Sequence, residues 1–378
     1  MPDRRLLTID PSAWRAVHAA LRDRLDGDGP AVFPADAPDA PPTVDAGVAL
    51  VVQTSGSTAR PKRVALSEAA LRASAAATEA ALGGAGQWML CLPPAYVAGA
   101  QVLVRSVLAG TEPVEGPLGR FDPAVFAAAA ESLGNARRYT ALVPAQLARL
   151  VEAEPGVRAA AASFDAILVG GQFLPQPLAD RARELGWRIV RTYGSSETAT
   201  GCVYDGYPIG DTRLRVVDGV LEVSGSTLAD GYLGDPTATA AAFRLDDGVR
   251  WYRTDDRAEL DPDGRLRVLG RADNVLVSGG VNVSLDRVEA VVRSLPGFAD
   301  AVVVRAPSAR WGEEPVVVVA GADAASLLLS EVRARVGDAL GAAARPAAIF
   351  AMPELPLLAT GKPDRRALAD LVAGTAET

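Results

Sequence analysis

Short apolar runs and amphipathic stretches alternate along most of this chain. Trp14-x-x-Val17-His18-x-x-Leu21-x-x-x-Leu25 repeats at helical spacing and predicts an amphipathic helix. Val48-Ala-Leu-Val-Val52 is a continuous apolar run that predicts a buried strand, and an Ala-rich helix follows over 67–82. Further strands are expected at 88–92, 140–142, 166–169 and 188–192, separated by helices at 101–108, 121–132, 146–152 and 178–185. Such alternation predicts an α/β domain built on mostly parallel sheets. From about residue 205 strand-like runs at 214–217, 220–223, 251–253 and 265–269 alternate with Asp/Gly turns, which predicts a small antiparallel β unit. The remainder returns to mixed α and β, with helices at 284–294 and 325–340 and strands at 300–305 and 315–320. The Pro-rich stretch PAVFPADAPDAPP over 30–42 is expected to be an exposed connector.

Composition narrows the chemistry. With 378 residues, 49% of them hydrophobic, the chain can bury more than one core, so two or more domains are expected. A formal charge of −8 with no basic patch argues against a general nucleic-acid binder. Cys91 and Cys202 are far apart in sequence and have neither disulfide-framework nor zinc spacing. The N-terminus lacks a hydrophobic signal core and no apolar run approaches a membrane span, so a cytoplasmic protein is expected. His18 is the single histidine and lies on the apolar stripe of its helix, where a packed structural role is expected. A Ser-His-Asp triad, a Cys-His pair or a His-based metal centre would all need it. Of the 38 basic residues only Lys62 and Lys362 are lysine. Lysine is a compact point charge and arginine a planar fork, so these two positions stand out.

Both lysines end unusual loops. Thr54-Ser55-Gly56-Ser57-Thr58-Ala59-Arg60-Pro61-Lys62 follows the 48–52 strand and offers hydroxyls, backbone N–H groups and one ammonium to a polyphosphate. Pro61 before Lys62 excludes a Walker A loop, and a solvated polar loop would share this composition. Gly170-Gly171-Gln172 and Tyr193-Gly194-Ser195-Ser196-Glu197-Thr198 each follow a predicted strand end, where open α/β sheets bind ligands. There Tyr193 could stack on a base, the serines could bind phosphate and Glu197 could hold a hard divalent cation. Gly194-x-Ser196 resembles a nucleophile elbow, but Thr198 replaces its last glycine and no triad histidine exists. Asp255-Asp256 and Arg271 could bind the two hydroxyls of a ribose, although charged β-turns look the same. Gly361-Lys362-Pro363 places the second lysine in a stiff, non-helical loop.

Taken in order, these segments resemble the adenylate-forming superfamily of acyl-CoA synthetases, luciferase-like enzymes and peptide-synthetase adenylation domains, over roughly 48–370. The hydroxyl-rich loop is similar to that family's phosphate loop, TSG-[ST]-TG-x-PKG, with Ala59 and Arg63 in place of two glycines. Tyr193–Thr198 resembles its Y-G-x-T-E adenine and magnesium motif, and Gly225 with Gly231-Tyr232 resembles its G-x-x-x-x-x-G-Y segment. The resemblance makes Asp256 the ribose-binding carboxylate, Arg271 the arginine beside it and Asp273 the hinge. Asp255 stands where the family has glycine, and Asn274 where it has aspartate. Ser278-Gly279-Gly280-Val281-Asn282 resembles the loop lining the pantetheine tunnel, and Lys362 the mobile-domain lysine used for adenylation.

The chain is shorter than most family members, in the N-terminal subdomain. Short forms with Leu92-Pro93, Val97-Ala98-Gly99, Leu103 and Arg105-Ser106 look most like o-succinylbenzoate–CoA ligases of menaquinone biosynthesis. This resemblance implies a large N-terminal ATP- and acyl-binding domain over 1–272 and a small mobile α+β domain over 273–378 that carries Lys362. It implies ATP, Mg²⁺ and CoA, with Glu197 on the metal and a small carboxylic acid as substrate; it leaves oligomerisation open. Tyr96, Arg105 and Thr198 are candidate acyl-pocket residues, with Gln172 beside them; Arg105 could hold the second carboxylate of the acid or serve structure alone. A CoA ligase for another aryl or alkyl acid and a stand-alone enzyme loading a carrier protein fit the same motifs. So does a catalytically dead nucleotide-binding module, though it leaves Lys362 without a purpose.

Overall fold

A computed structural model describes residues 3–54, 62–134, 136–298, 300–308, 310–321, 329–357 and 363–375. Four sheets organise these residues. In the second sheet five strands run parallel: Ile189–Ser195, Ala166–Val169, Arg138–Leu142, Gln87–Leu90 and Val114–Glu115. Thr200–Tyr204 and Tyr207–Pro208 extend it antiparallel. In the first sheet Arg4–Ile9, Ala31–Pro34 and Val48–Gln53 are parallel, and Arg63–Ser67 and Gly231–Tyr232 continue it antiparallel. Helices Trp14–Asp26, Glu68–Leu82 and Val97–Leu108 fill the space between these two sheets, with Val17, Leu21, Leu71 and Leu103 in one apolar cluster. Pro123–Glu131, Pro144–Val151, Pro155–Ala162 and Gln176–Glu184 cover the outer face of the second sheet. The fold is therefore mixed α/β, as the alternation predicted.

The third sheet is the expected antiparallel unit: Arg213–Val217, Val220–Ser224, Val249–Leu260, Phe243–Asp246 and Leu266–Arg271. The fourth pairs Val275–Ser278, Val281–Ser284, Gly312–Ala320, Val302–Ser308 and Ile349–Met352, packed by helices Leu285–Arg293, Leu329–Leu340 and Arg365–Thr375. Val288, Val303, Val317 and Val336 form its core on one face, Val304, Val318 and Leu368 on the other. Among the described residues no helix is long and apolar enough to cross a membrane.

The expected connector at 30–42 is corrected. Ala31–Pro34 is a central strand, buried at all four positions, and its Leu6↔Ala31 and Val32↔Leu50 registers join it to neighbours on both sides. Pro34 lacks an N–H, but it ends the strand, where one missing ladder bond is tolerated. The flanking prolines outweighed the apolar Ala-Val-Phe run in the sequence reading. The helix expected at 101–108 begins at Val97, because the chain turns tightly through Pro93–Tyr96. Gly99 makes that turn possible: a Cβ there would lie 2.3 Å from the Pro93 carbonyl oxygen. Part of the helix expected at 325–340 lies outside the described residues, and Leu329–Leu340 is helical.

Candidate active site

The carboxyl ends of the parallel strands of the second sheet bring two candidate loops together. Ile189 pairs with Ile167 and Arg191 with Val169, so Gly170 and Tyr193 leave adjacent strands side by side. The approach is close: a Cβ on Gly170 would stand 2.2 Å from Thr192 Oγ1, which only glycine permits. Beyond it come Gly171, in the left-handed region at φ 78°, and Gln172. The Tyr193 strand is kinked by a bulge between Tyr193 and Gly194, and Ser196–Thr198 forms one 3₁₀ turn. Thr198 is buried and ties that turn: its Oγ1 accepts from the Ser195 N–H at 2.9 Å and donates to the Thr200 carbonyl at 2.8 Å. Two successive non-glycine residues then have positive φ, Ala199 at 49° and Thr200 at 95°, a strained path. Ser74 Oγ and Gln101 Nε2, from two helices, both donate to the Ala199 carbonyl at 2.9 Å and hold it there.

Three tyrosines frame the crevice. The Tyr193 hydroxyl donates to Asp256 Oδ2 at 2.6 Å, leaving the other carboxylate oxygen available to a ligand hydroxyl. Burial raises the Asp256 pKa above the usual carboxylate range, opposed by the Tyr193 hydrogen bond and by Arg271. Burial, followed by the Asp256 charge, also pushes Tyr193 well above its ordinary value, so its proton stays on. The Tyr232 hydroxyl donates to Glu197 Oε1 at 2.9 Å, and the Lys62 ammonium lies 4.6 Å from the centre of the Tyr232 ring. Tyr252 lies at the same end, its ring centre 5.1 Å from that of Phe243. Burial and then Glu197 raise the Tyr232 pKa as well.

The hydroxyl-rich loop is anchored at its stem. Thr54 N–H donates to the Lys62 carbonyl at 2.9 Å and Lys62 N–H to Thr54 Oγ1 at 3.3 Å. Ser55, Gly56, Ser57 and Thr58 lie outside the described residues, as does Lys362. Glu197 is 7% exposed, and among the described residues no group of three His, Cys, Asp or Glu is arranged to hold a metal ion by itself. A divalent ion held by one carboxylate would take its other ligands from phosphates and water. That is the habit of magnesium, and this donor set fits it.

Arg271 pairs with Asp256 across two strands and is held by acids on three sides. Its guanidinium grips Asp273 through two bonds, Nε–Oδ1 at 2.7 Å and Nη2–Oδ2 at 2.8 Å, and reaches Asp255 at 3.1 Å. Its backbone N–H donates to Asp286 at 2.8 Å. Asp273 foremost raises the Arg271 pKa, so the charge is permanent. Gly279 and Gly280, at φ 55° and 83°, form the two-residue tip of the hairpin joining Val275–Ser278 to Val281–Ser284. Tyr96 is half-buried immediately before the Val97 helix, and burial raises its pKa.

The structure does not bring Arg105 to this crevice. Its guanidinium is buried 5.0 Å above the Trp88 ring and borders a cavity of about 20 Å³ with Gly86 and Tyr139, at the amino ends of the parallel strands. No carboxylate among the described residues lies within ion-pairing distance of it, and its Nε has no hydrogen-bond partner. Gln101, one helical turn nearer the crevice, is fully buried with its Oε1 unpartnered. Tyr232, Asp286 and Gln101 are contributors that sequence reasoning missed. Only Tyr232 had a signal, in the Gly231-Tyr232 dipeptide.

Residues 7–233 match the AMP-binding enzyme family and residues 287–362 its C-terminal domain. The chain belongs to the AMP-binding enzymes, the adenylate-forming superfamily that its motifs resembled. The probable 2-succinylbenzoate–CoA ligase of Mycobacterium tuberculosis is 42% identical over 343 residues, covering 88% of this chain and 87% of that protein. The 2-succinylbenzoate–CoA ligase of Geobacillus kaustophilus is 31% identical, covering 98% and 81%. Among solved structures, o-succinylbenzoate CoA synthetase from Bacillus subtilis, in complex with its acyl-adenylate intermediate, superimposes with a TM-score of 0.71. That match has 27% identity over 85% of this chain and 69% of the other.

Proposed function

We propose that this chain is an ATP-dependent 2-succinylbenzoate–CoA ligase that makes o-succinylbenzoyl-CoA for menaquinone biosynthesis in the cytoplasm. The observation that carries the adenylating chemistry is the convergence of Tyr193–Asp256, Glu197–Tyr232 and Lys62 at one end of the second and first sheets. The names of the relatives support the choice of acid.

In this reading Tyr193 stacks on adenine, and Asp256 with Arg271 holds the ribose hydroxyls. Gly170, Gly171, Gln172, Gly194, Ser195 and Ser196 border the nucleotide. Lys62 and the Thr54–Thr58 loop bind the β- and γ-phosphates through an ammonium, hydroxyls and backbone N–H groups. Glu197 holds magnesium, which when bound neutralises phosphate charge. A substrate carboxylate oxygen attacks the α-phosphorus, forming a C–O–P bond while the α–β bridging P–O bond breaks and pyrophosphate leaves. Lys362 balances the charge that builds between carboxylate and α-phosphate. In the second step the CoA thiol loses its proton, sulfur attacks the acyl carbon, and the acyl–oxygen bond breaks to release AMP.

The acid is a dianion, and its distal carboxylate needs a counter-charge. Arg105, the candidate from the sequence, lies over Trp88 at the amino ends of the strands, beside a cavity of about 20 Å³, so the packing favours a structural role for it. Thr198 and Tyr96 are the remaining candidates for the acyl pocket. We assign 1–272 to the ATP- and acyl-binding domain and 273–378 to a domain that turns about Asp273, exchanging Lys362 for the Gly279-Gly280 hairpin between steps.

The test is AMP and pyrophosphate release from purified protein with ATP and magnesium, using o-succinylbenzoate, benzoate, succinate and fatty acids, each with and without CoA. CoA-dependent turnover confined to o-succinylbenzoate is expected. Turnover with another acid discards the pathway and keeps the mechanism; adenylate without thioester moves the acceptor to a carrier protein.

A further inference from the structure

Tyr232 touches both charged groups that the reading above places on the phosphates. Its hydroxyl donates to Glu197 Oε1 at 2.9 Å, while its ring faces the Lys62 ammonium at 4.6 Å. It is 7% exposed, so it is a fixed partition rather than a surface group. Three features hold it. Gly231-Tyr232 pairs with Ala65 and Val64 on the very strand that leads out of Lys62. Tyr232 N–H donates to Thr239 Oγ1 at 2.9 Å. Its ring packs on Phe243, centre to centre 6.0 Å. A Cβ on Gly231 would stand 2.4 Å from Thr239 Cγ2, so the backbone is pressed against that anchor.

A lysine and a glutamate that share one phenol as neighbour could otherwise pair with each other, and pairing would occupy the two groups needed for the phosphates and the metal. No such pair is present; the phenol stands between them. A ring whose hydroxyl donates to a carboxylate gains electron density, and its face then attracts a cation more strongly. One side chain therefore satisfies both charges while keeping them apart.

We propose that Tyr232 is a positioning residue that keeps Lys62 and Glu197 separate and individually oriented, so that magnesium–ATP does not have to break an ion pair on entry. The inference rests on the roles proposed for Lys62 and Glu197.

The experiment is calorimetric binding of α,β-methylene-ATP to the full chain, with and without magnesium, alongside thermal melting. Tyr232→Ala is expected to weaken magnesium-dependent binding by roughly tenfold, the scale of one strong charge contact that must first be broken. Tyr232→Phe keeps the partition and loses only the hydrogen bond to Glu197; a loss of roughly threefold, seen only when magnesium is present, is expected. In a Lys62→Ala background, Tyr232→Ala should cost little more, since no ion pair can then form. Should Tyr232→Ala fail to fold, the Phe variant still decides the hydrogen bond. Wild-type binding in the Tyr232 variants, while Glu197→Gln and Lys62→Ala bind poorly, overturns this inference alone. Wild-type binding in Glu197→Gln and Lys62→Ala overturns the placement of the phosphates and this inference with it.

Discussion

The body that ends near Arg271 and the unit that begins near Val275 are held internally by the same force and joined to each other by a different one. Within the body, apolar clusters link helices to the first two sheets and reach into the third; the last member of the largest cluster is Leu266. Beyond the junction the cores start again at Leu276. Among the described residues no buried apolar cluster contains side chains from both parts. The seam is polar instead: Arg271 N–H to Asp286 at 2.8 Å, Asn274 Nδ2 to Asp286 at 2.7 Å, and the Arg271 fork on Asp273. Buried apolar area is lost to water at about 25 cal/mol per Å² when two faces part. Exposed ion pairs exchange with water at little net cost. On the roles proposed above, the groups for adenine and ribose belong to the internally packed part and Lys362 to the part joined by polar contacts. That division suits a reaction whose second step needs the first step's lysine out of the way.

The sharpest break between the two parts should come from Lys362→Ala. Adenylation is expected to fall by roughly 10²–10³. Thioester formation from preformed acyl-AMP should survive. A mutant that adenylates normally removes Lys362 from the mechanism.

Asp256→Asn probes the body. The expected loss is at least tenfold in ATP affinity, with no loss of thermal stability at pH 7. The sign follows from burial. A folded pKa above 3.8 means the native state holds its proton longer than the unfolded chain, so stability falls as pH rises through that window, and the ionised group remains a cost at neutral pH. The asparagine carries no such cost, so a large drop in melting temperature at pH 7 would contradict the buried-carboxylate reading.

Asp273→Pro acts at the seam. It removes the fork partner of Arg271 and restricts the backbone, and one half-reaction should suffer about tenfold more than the other. Equal effects on both would make Asp273 a structural residue and not a pivot.

The smallest effect separates the two parts by pH. His18 lies in the body, buried, its Nδ1 3.7 Å from Glu112, and burial lowers its pKa below 6.5. The unfolded chain then takes up the proton first, so body stability should decline as pH falls below 6.5. Melting of the wild type and His18→Gln at pH 7 and pH 5.5 checks this, the variant losing the extra decline.

How much of this was legible in the chain differs from place to place. The buried strand at 48–53, the strand at 166–169 and the antiparallel character after residue 205 follow from local periodicity. The helices at 68–82 and 285–293 were read to within a residue or two, and each carries a serine cap, Ser67 and Ser284. Ala31–Pro34 was misread because proline is a strong local signal, whereas burial between two neighbours is not local at all. The helix Pro155–Ala162 escaped notice since it is short and Ala-rich, with Ala161 its one buried residue. Arg105 is the instructive candidate. Its motif drew attention to it, but only the packing shows a guanidinium above Trp88 with no carboxylate within pairing distance among the described residues.

By itself the sequence determined the α/β character, the loops at strand ends and the membership of an adenylate-forming family. These are properties of short segments, set by side-chain periodicity and by residue types that few chemistries require. Only the tertiary structure decided which strand ends meet. Gly170 lies beside Tyr193 because their strands are parallel neighbours, and Tyr232 enters from a distant segment on the edge strand of another sheet. The sorting of apolar contacts within each part and charged contacts between them is likewise invisible in a linear string. Its reason is physical: pairing and burial depend on distances across the chain, and no local pattern encodes those.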